Sequence, residues 1–280
     1  TPLNMIFCER FLLLLFINLG LTQSFVMVLG GNGYVGTAIT KCLNEAGCSV
    51  VTVGRSSTGT STSPLTTHVE CDLIKQPPNL CNLLSTTPHS PSDLTCVVHA
   101  IGCLLDTQSG LGNLNKLASG TKRDPSGTYN DVTLGTVRNA IDMISASKSG
   151  DEAECPCDKF VFVSAAEAGW NKDNGGAKVE SLFAPEWLKR YLSAKRSAEE
   201  LVMDSCMGGY VIRPSIVYSK GDLGSLGVRV GFGLGAKVGL KFVEEPIEVG
   251  VVGDGARIMA LEDGIREGVW GGDDVKRLVK

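Results

Sequence analysis

Residues 25–36 read F-V-M-V-L-G-G-N-G-Y-V-G, and few folds accommodate that order. Phe25 to Leu29 is an apolar run with no polar break, the pattern of a strand covered on both faces in a parallel sheet. Gly30, Gly33 and Gly36 follow at the spacing G-x-x-G-x-x-G. Val35, Ala38, Ile39, Cys42 and Leu43 then recur at helical spacing as far as Gly47, and Ser49 to Val53 is a second apolar strand. Glycines at such a turn let the backbone approach a pyrophosphate, while the start of a helix presents free N–H groups at the positive end of its dipole. The succession of strand, glycines, helix and strand predicts a dinucleotide site cradled by Gly30, Asn32, Gly33, Tyr34, Val35 and Gly36.

The end of the second strand indicates which dinucleotide. A site for NAD(H) usually carries an acidic residue there to hold the ribose 2′-hydroxyl. No acidic residue occurs between Gly47 and Val69, and the strand runs into Gly54-Arg55-Ser56-Ser57. A guanidinium and a hydroxyl at Arg55 and Ser56 suit a 2′-phosphate, so NADP(H) is preferred, with NAD(H) as the alternative.

The remaining chain supplies the other layers of a Rossmann-type, doubly wound α/β sheet. His68 to Glu70 reads as a third strand leading into Cys71-Asp72-Leu73, which places Asp72 and Leu73 at the adenine. Thr95 to Ala100 reads as a fourth, and the small residues of Ala100, Ile101 and Gly102 leave room for the ribose and nicotinamide. His99 reads as a packed histidine at a strand end, with a catalytic role as the competing reading. Residues 106–127 are polar and glycine-rich, a mobile loop near the site. Tyr129 to Lys148 reads as an amphipathic helix burying Val132, Val137, Ala140, Ile141 and Ile144. Asp151 to Asp158 is a charged link, Lys159 to Val163 a fifth strand, and Arg213-Pro214 closes a sixth. Gly221 to Gly239 is glycine-rich, and an Ala/Ile/Leu helix is expected around Ala256 to Leu261.

The 280 residues divide into a hydrophobic leader (1–24), a nucleotide-binding domain (25–220) and a small substrate-side lobe (221–280) completing the same fold. The leader has an apolar stretch from Phe11 to Leu21 followed by Thr22-Gln23-Ser24, similar to the core and cleavage site of a signal peptide. A net charge of −4 gives no basic excess, which argues against a nucleic-acid partner. The cysteines have neither paired C-x-x-C spacing nor a disulfide framework, so no metal site is expected.

Ser164 leaves the fifth strand, and Tyr191-Leu-Ser-Ala-Lys195 follows on a helix from about Pro185 to Met207. Four residues apart, Tyr191 and Lys195 share one helical face. An ammonium beside a phenol favours the phenolate, which makes Tyr191 a usable acid/base, and a serine hydroxyl opposite can hold a substrate oxygen. Ser164, Tyr191 and Lys195 are therefore the candidate catalytic group, with Tyr191 and Lys195 also counted among the cofactor contacts. With a nicotinamide, such a group serves hydride transfer at a carbonyl or alcohol carbon of a small-molecule substrate.

The glycine pattern, Ser164 and the Tyr191/Lys195 pair resemble the short-chain dehydrogenase/reductase superfamily in its extended, NAD-dependent epimerase/dehydratase-like branch. Segments 160–170 (F-V-F-V-S-A-A-E-A-G-W), 184–199 and 211–219 (V-I-R-P-S-I-V-Y-S) are similar to a fungal mitochondrial dehydrogenase-like group associated with coenzyme Q biosynthesis. That group in turn resembles the NADPH-binding accessory subunit of respiratory complex I. The resemblance implies that Pro214, Ser215 and Ile216 pack beside the nicotinamide. It also implies a mitochondrial location, on the matrix side and associated with an inner-membrane assembly; a plastid or secretory route is the alternative if the leader is a true signal. The apolar residues of the Gly221–Gly239 loop suit a hydrophobic, quinone-like ligand, with ordinary loop packing as the competing reading. Two functions follow: an oxidoreductase of quinone metabolism, or a non-catalytic scaffold that NADPH stabilises. Two departures stand out. Val132 occupies the place of the leading Asn in the family's N-V-x-G-T-x-N helix, and a polar insertion at Asn171 to Glu180 lies where it can cover the pocket.

Overall fold

A computed structural model of the chain describes residues 24–56, 63–75, 79–103, 105–109, 127–148, 157–219 and 243–280. The apolar leader, most of the 106–127 loop and the Gly221–Gly239 segment lie outside the described residues.

Seven strands form one sheet in which every neighbouring pair is parallel. In chain order they are β1 (Phe25–Leu29), β2 (Ser49–Gly54), β3 (Thr66–Glu70), β4 (Leu94–His99), β5 (Lys159–Val163), β6 (Gly208–Arg213) and, after the two-residue pair β7 (Val217–Tyr218) and β8 (Ile247–Glu248), β9 (Gly268–Gly271). Their spatial order is β3-β2-β1-β4-β5-β6-β9. The chain winds outward from β1 in one direction, then restarts at β4 in the other, leaving a crevice between β1 and β4 above the sheet's C-terminal edge. Ligands of open α/β sheets bind at such a switch point.

Alternation along the strands feeds two cores. Phe25, Met27 and Leu29 of β1 point with Phe160 and Phe162 of β5 to one face. There they meet α2 (Leu80–Leu84), α3 (Thr136–Lys148) and α5 (Glu186–Met203). Val26, Val28, Val161 and Val163 point to the other face, against α1 (Tyr34–Glu45), α6 (Val249–Leu261) and α7 (Gly272–Leu278). A strand buried on both sides favours apolar residues on each, which is why β1 reads as an unbroken apolar run and β5 as one after Lys159. The sheet is thus the Rossmann-type doubly wound architecture expected of the sequence.

Two elements differ from the sequence reading. The first turns of the helix after Tyr129 are π-helical from Asn130 to Gly135, with Thr136 Oγ1 donating to the Val132 carbonyl at 2.7 Å. The expected apolar residues are buried all the same, Val132 among them. The second is the far edge of the sheet, where β9 adds a strand that the glycine-flanked G-V-W-G sequence does not announce.

Candidate functional site

The turn after β1 is built around glycine. Gly30 has φ of +80°, a region that side chains disfavour, and its N–H donates to the Val53 carbonyl at 2.7 Å. Its own carbonyl accepts from Gly33 N–H at 2.9 Å. A Cβ placed on Gly36 would lie 2.1 Å from that carbonyl oxygen, so α1 can start this close to β1 only with glycine there. No side chain caps the first turn of α1, whose N-cap is Gly33. Helix N–H groups, an uncapped dipole end and a backbone stripped of side chains fit a pyrophosphate.

The crevice wall opposite is the exit of β4. Ala100 N–H donates to the Leu29 carbonyl at 2.9 Å, and a Cβ on Gly30 would touch Ile101 at 3.0 Å. Gly102 lies within 3.8 Å of Lys195 Nζ, measured from where its Cβ would be. The glycine turn, Ala100, Ile101, Gly102 and Lys195 therefore border one crevice. Val35 and Tyr34 open α1 beside them, and the Tyr34 hydroxyl is 2.8 Å from Ser219 Oγ. At the other end, Asn32 Nδ2 donates to the Ser56 carbonyl at 2.5 Å, which ties the glycine turn to the exit of β2, where Arg55 is exposed.

Tyr191 and Lys195 occupy adjacent turns of α5. Lys195 Nζ donates to the Val163 carbonyl at 2.9 Å and sits 4.8 Å from the Phe162 ring centre and 5.9 Å from that of Tyr191. The Tyr191 ring meets Tyr129 edge-on at 5.5 Å. Burial pulls the Lys195 ammonium down to about 8, against the opposing pull of Glu199 and Cys103. Burial pushes the Tyr191 phenol well above its ordinary value, with Glu167, Cys103 and Tyr129 adding to the rise. This corrects the expected downward direction: burial sets it upward.

A second correction concerns Ser164. Its hydroxyl donates to Glu199 Oε1, one turn beyond Lys195 on α5, and not toward Tyr191. Glu199 also accepts from Arg213 Nε at 3.0 Å, so a buried serine and carboxylate and a part-buried guanidinium form one cluster. Glu199 was missed from the sequence although it lies four residues past Lys195, on the face that Tyr191 and Lys195 already define.

The other expected contacts have these partners within the protein. Asp72 accepts from Ile74 N–H at 3.2 Å within its own turn and pairs with Lys75 at 3.8 Å. Leu73 is buried, and its carbonyl accepts from Asn139 at 2.7 Å. Ser215 donates to the Glu245 carbonyl, the Pro214 carbonyl accepts from Ala166 N–H at 2.9 Å, and the Ile216 carbonyl accepts from Ile247 N–H at 3.0 Å. These three stitch the exit of β6 to its neighbours. His99 is fully buried, with Nε2 2.8 Å from Thr136 Oγ1, and burial pulls it down to about 3; it is a neutral packing residue. The insertion after Ser164 carries α4 (Gly176–Phe183), which Arg196 of α5 holds by two contacts to Glu180 at 3.0 and 2.7 Å.

Beyond β6 and β9 a cleft of about 300 Å³ opens, lined by Ala166, Trp170, Asn174, Arg213, Glu244 and Asp274. Burial raises the Glu167 carboxyl, and the Glu244 charge adds to the rise. Among the described residues no group of three metal-ligating side chains occurs, and no helix is long and apolar enough to cross a membrane.

Residues 26–104 match the NAD dependent epimerase/dehydratase family. No curated protein sequence matches the chain. Solved structures extend the likeness over nearly its whole length. An oxidoreductase from Lactococcus lactis shares 14% identity at a TM-score of 0.56, covering 91% of this chain and 96% of its own. A gluconate 5-dehydrogenase from Burkholderia cenocepacia, in complex with NADP and tartrate, shares 12% at 0.59, over 91% and 95%. A 3-oxoacyl-acyl-carrier-protein reductase from Brucella melitensis, in complex with NAD, shares 18% at 0.57, over 92% and 99%. At such identities the likeness establishes the fold, and function has to be argued from the site.

Proposed function

We propose that this chain is an NADP(H)-dependent oxidoreductase acting on a carbonyl or alcohol carbon, with Tyr191 as its acid/base. The observation that carries the reading is the convergence of the glycine turn, the small residues after β4 and the Tyr191/Lys195 pair on one crevice. A bound nicotinamide would supply or take the hydride. In the reducing direction Tyr191 gives its phenolic proton to the substrate oxygen, and the nearby Lys195 ammonium offsets the negative charge left on the phenol. The raised pKa of Tyr191 keeps that proton in place until substrate arrives. The fold neighbours in complex with NADP and with NAD support a nicotinamide cofactor. The absence of a carboxylate at the end of β2, together with Arg55 and Ser56, supports the 2′-phosphate form.

The finer proposal places the reaction in quinone metabolism at the matrix face of the mitochondrial inner membrane, with a hydrophobic, quinone-like substrate. It is supported by the resemblance of segments 160–170, 184–199 and 211–219. A second reading is a scaffold that NADPH stabilises without turnover. It is favoured by the commitment of Ser164 to Glu199, which takes away the hydroxyl expected beside the substrate.

Titration of the full chain with NADPH and NADH, followed by a chase of bound NADPH with quinones and ketones, tests both. Oxidation that Tyr191→Phe abolishes without loss of binding supports the enzyme. Tight binding with no turnover on any acceptor, the same in Tyr191→Phe, supports the scaffold. Binding of neither nucleotide refutes both.

A further inference from the structure

β2 ends at Gly54, and among the described residues few atoms crowd the space in front of it. A Cβ built there meets only His68 Cε1 at 3.7 Å and Asn32 Nδ2 at 3.9 Å. Three elements converge on this imidazole. The sheet register sets Thr52 of β2 opposite His68 of β3, with Thr52 Oγ1 3.0 Å from Nδ1. From the glycine turn, Asn32 Nδ2 lies 3.5 Å from Nδ1 and 3.4 Å from Nε2 of the same ring. The Ser56 and Thr52 carbonyls act on it from the exit of β2, where Arg55 is the neighbouring cation, and Glu70 is the acidic group on its own strand. A half-buried, titratable ring thus borders the space in which a carboxylate would select a ribose 2′-hydroxyl, with the uncharged Asn32 and Ser56 beside it and Glu70 opposite Gly54 in the sheet register.

We propose that His68 is a pH-dependent specificity residue, which in its protonated form joins Arg55 in holding the cofactor's 2′-phosphate. The inference rests on the cofactor reading given above. It makes selection for NADP(H) over NAD(H) sharpen as the medium becomes more acidic.

The direction follows from linkage. Burial holds His68 below its ordinary value, ahead of the opposing pull of Glu70, so the ring is neutral in the free protein at neutral pH. A phosphate brought against it favours the charged form and raises its pKa. Binding then takes up a proton. The extra affinity is fully present below the free-state pKa and is lost as pH rises through the bound-state pKa.

The test is binding to the full chain, wild type beside His68→Gln, between about pH 5.5 and about pH 8.5. NADPH and NADH are titrated, together with adenosine 2′,5′-bisphosphate and adenosine 5′-monophosphate, which isolate the phosphate. Taking the wild-type to variant affinity ratio at each pH cancels the ionisation of the phosphate itself. One unit of pKa difference between free and bound forms is a tenfold affinity change, so the ratio for NADPH and the bisphosphate is expected to rise about tenfold toward the acid end. It should stay flat for NADH and the monophosphate, whose retained binding also shows that the variant is folded. A flat ratio for NADPH overturns the proposal, and so does an equal loss for NADH. Gly54→Asp is a second variant, since its Cβ meets only ordinary contacts. Placing a carboxylate against His68 is expected to turn the preference toward NADH, and an unchanged preference overturns the assignment of this space to the 2′-phosphate. Failure of the wild type to bind either nucleotide is the separate outcome that removes the cofactor reading itself, and this inference with it.

Discussion

Replacing Gly36 by alanine tests whether the glycine turn is built for close backbone approach. The added Cβ would lie 2.1 Å from the Gly30 carbonyl oxygen and 2.8 Å from both Gly30 C and Gly31 Cα. That is more than about 1 Å inside an ordinary contact distance. The carbonyl cannot swing away, because it accepts from Gly33 N–H at 2.9 Å and belongs to a residue fixed at positive φ. The start of α1 must recede instead, and α1 is packed along α6 on the sheet face. Overpacking of this kind costs roughly 1–3 kcal/mol, and a clash of backbone with backbone belongs at the upper end. At roughly 2–4 °C per kcal/mol for a domain near this size, the melting temperature should fall by about 6–12 °C. NADPH affinity should fall with it, since the N–H groups facing the pyrophosphate move. Gly47→Ala is the control: its φ is +79° with nothing within 4 Å of the added atom, so it carries only the left-handed strain of roughly 1–2 kcal/mol and leaves nucleotide binding intact. Differential scanning calorimetry and fluorescence titration measure both effects. A Gly36→Ala protein that melts within about 2 °C of wild type and binds NADPH equally well would refute the reasoning.

Three further outcomes are expected. With Lys195 pulled down to about 8, kcat/KM for carbonyl reduction should fall above that pH as the ammonium is lost, and Lys195→Met should lose both rate and that limb; a wild-type profile flat to about pH 10 contradicts this. His99 titrates near 6.5 when unfolded and about 3 when folded, so the unfolded chain binds more protons between those values and stability falls as pH drops through 6.5. Urea unfolding should show about 2 kcal/mol lost between pH 7 and pH 5, a slope that His99→Gln removes, and equal slopes in the two proteins count against it. Arg196→Ala should release α4 from α5, seen as amide exchange across residues 171–183 accelerated about tenfold while β6 is unchanged; uniform acceleration would point to global destabilisation instead.

What was legible in the sequence follows from how much each element depends on its own residues. β1 and β5 came out with the bounds that the structure gives them, because a strand covered on both faces is mostly apolar and announces itself. The glycine turn was legible for a similar reason, since positive φ at Gly30 and the closeness of Gly36 to Gly30 leave little choice of residue. β9 was not, because it is short, lies at an edge and begins and ends in glycine. At the site, the Tyr191/Lys195 pairing could be read from helical spacing alone. The direction of the Ser164 hydroxyl could not, since it depends on Glu199 and Arg213 meeting from α5 and β6.

That buried cluster explains why desolvation prevails at Lys195. A carboxylate one turn away would ordinarily hold a buried ammonium near its usual pKa. Glu199, however, already accepts from Arg213 and from the Ser164 hydroxyl. Its charge is largely answered before it reaches Lys195, whose ammonium donates to a neutral backbone carbonyl, that of Val163. The ammonium is therefore left to burial, with the Phe162 face beneath it, and its titration comes down toward neutral pH. Tyr191 is pushed the opposite way by the same burial, so the pair holds one firmly bound proton beside one that is readily exchanged. Ser164, expected to hold a substrate oxygen, bears on the pair through Glu199.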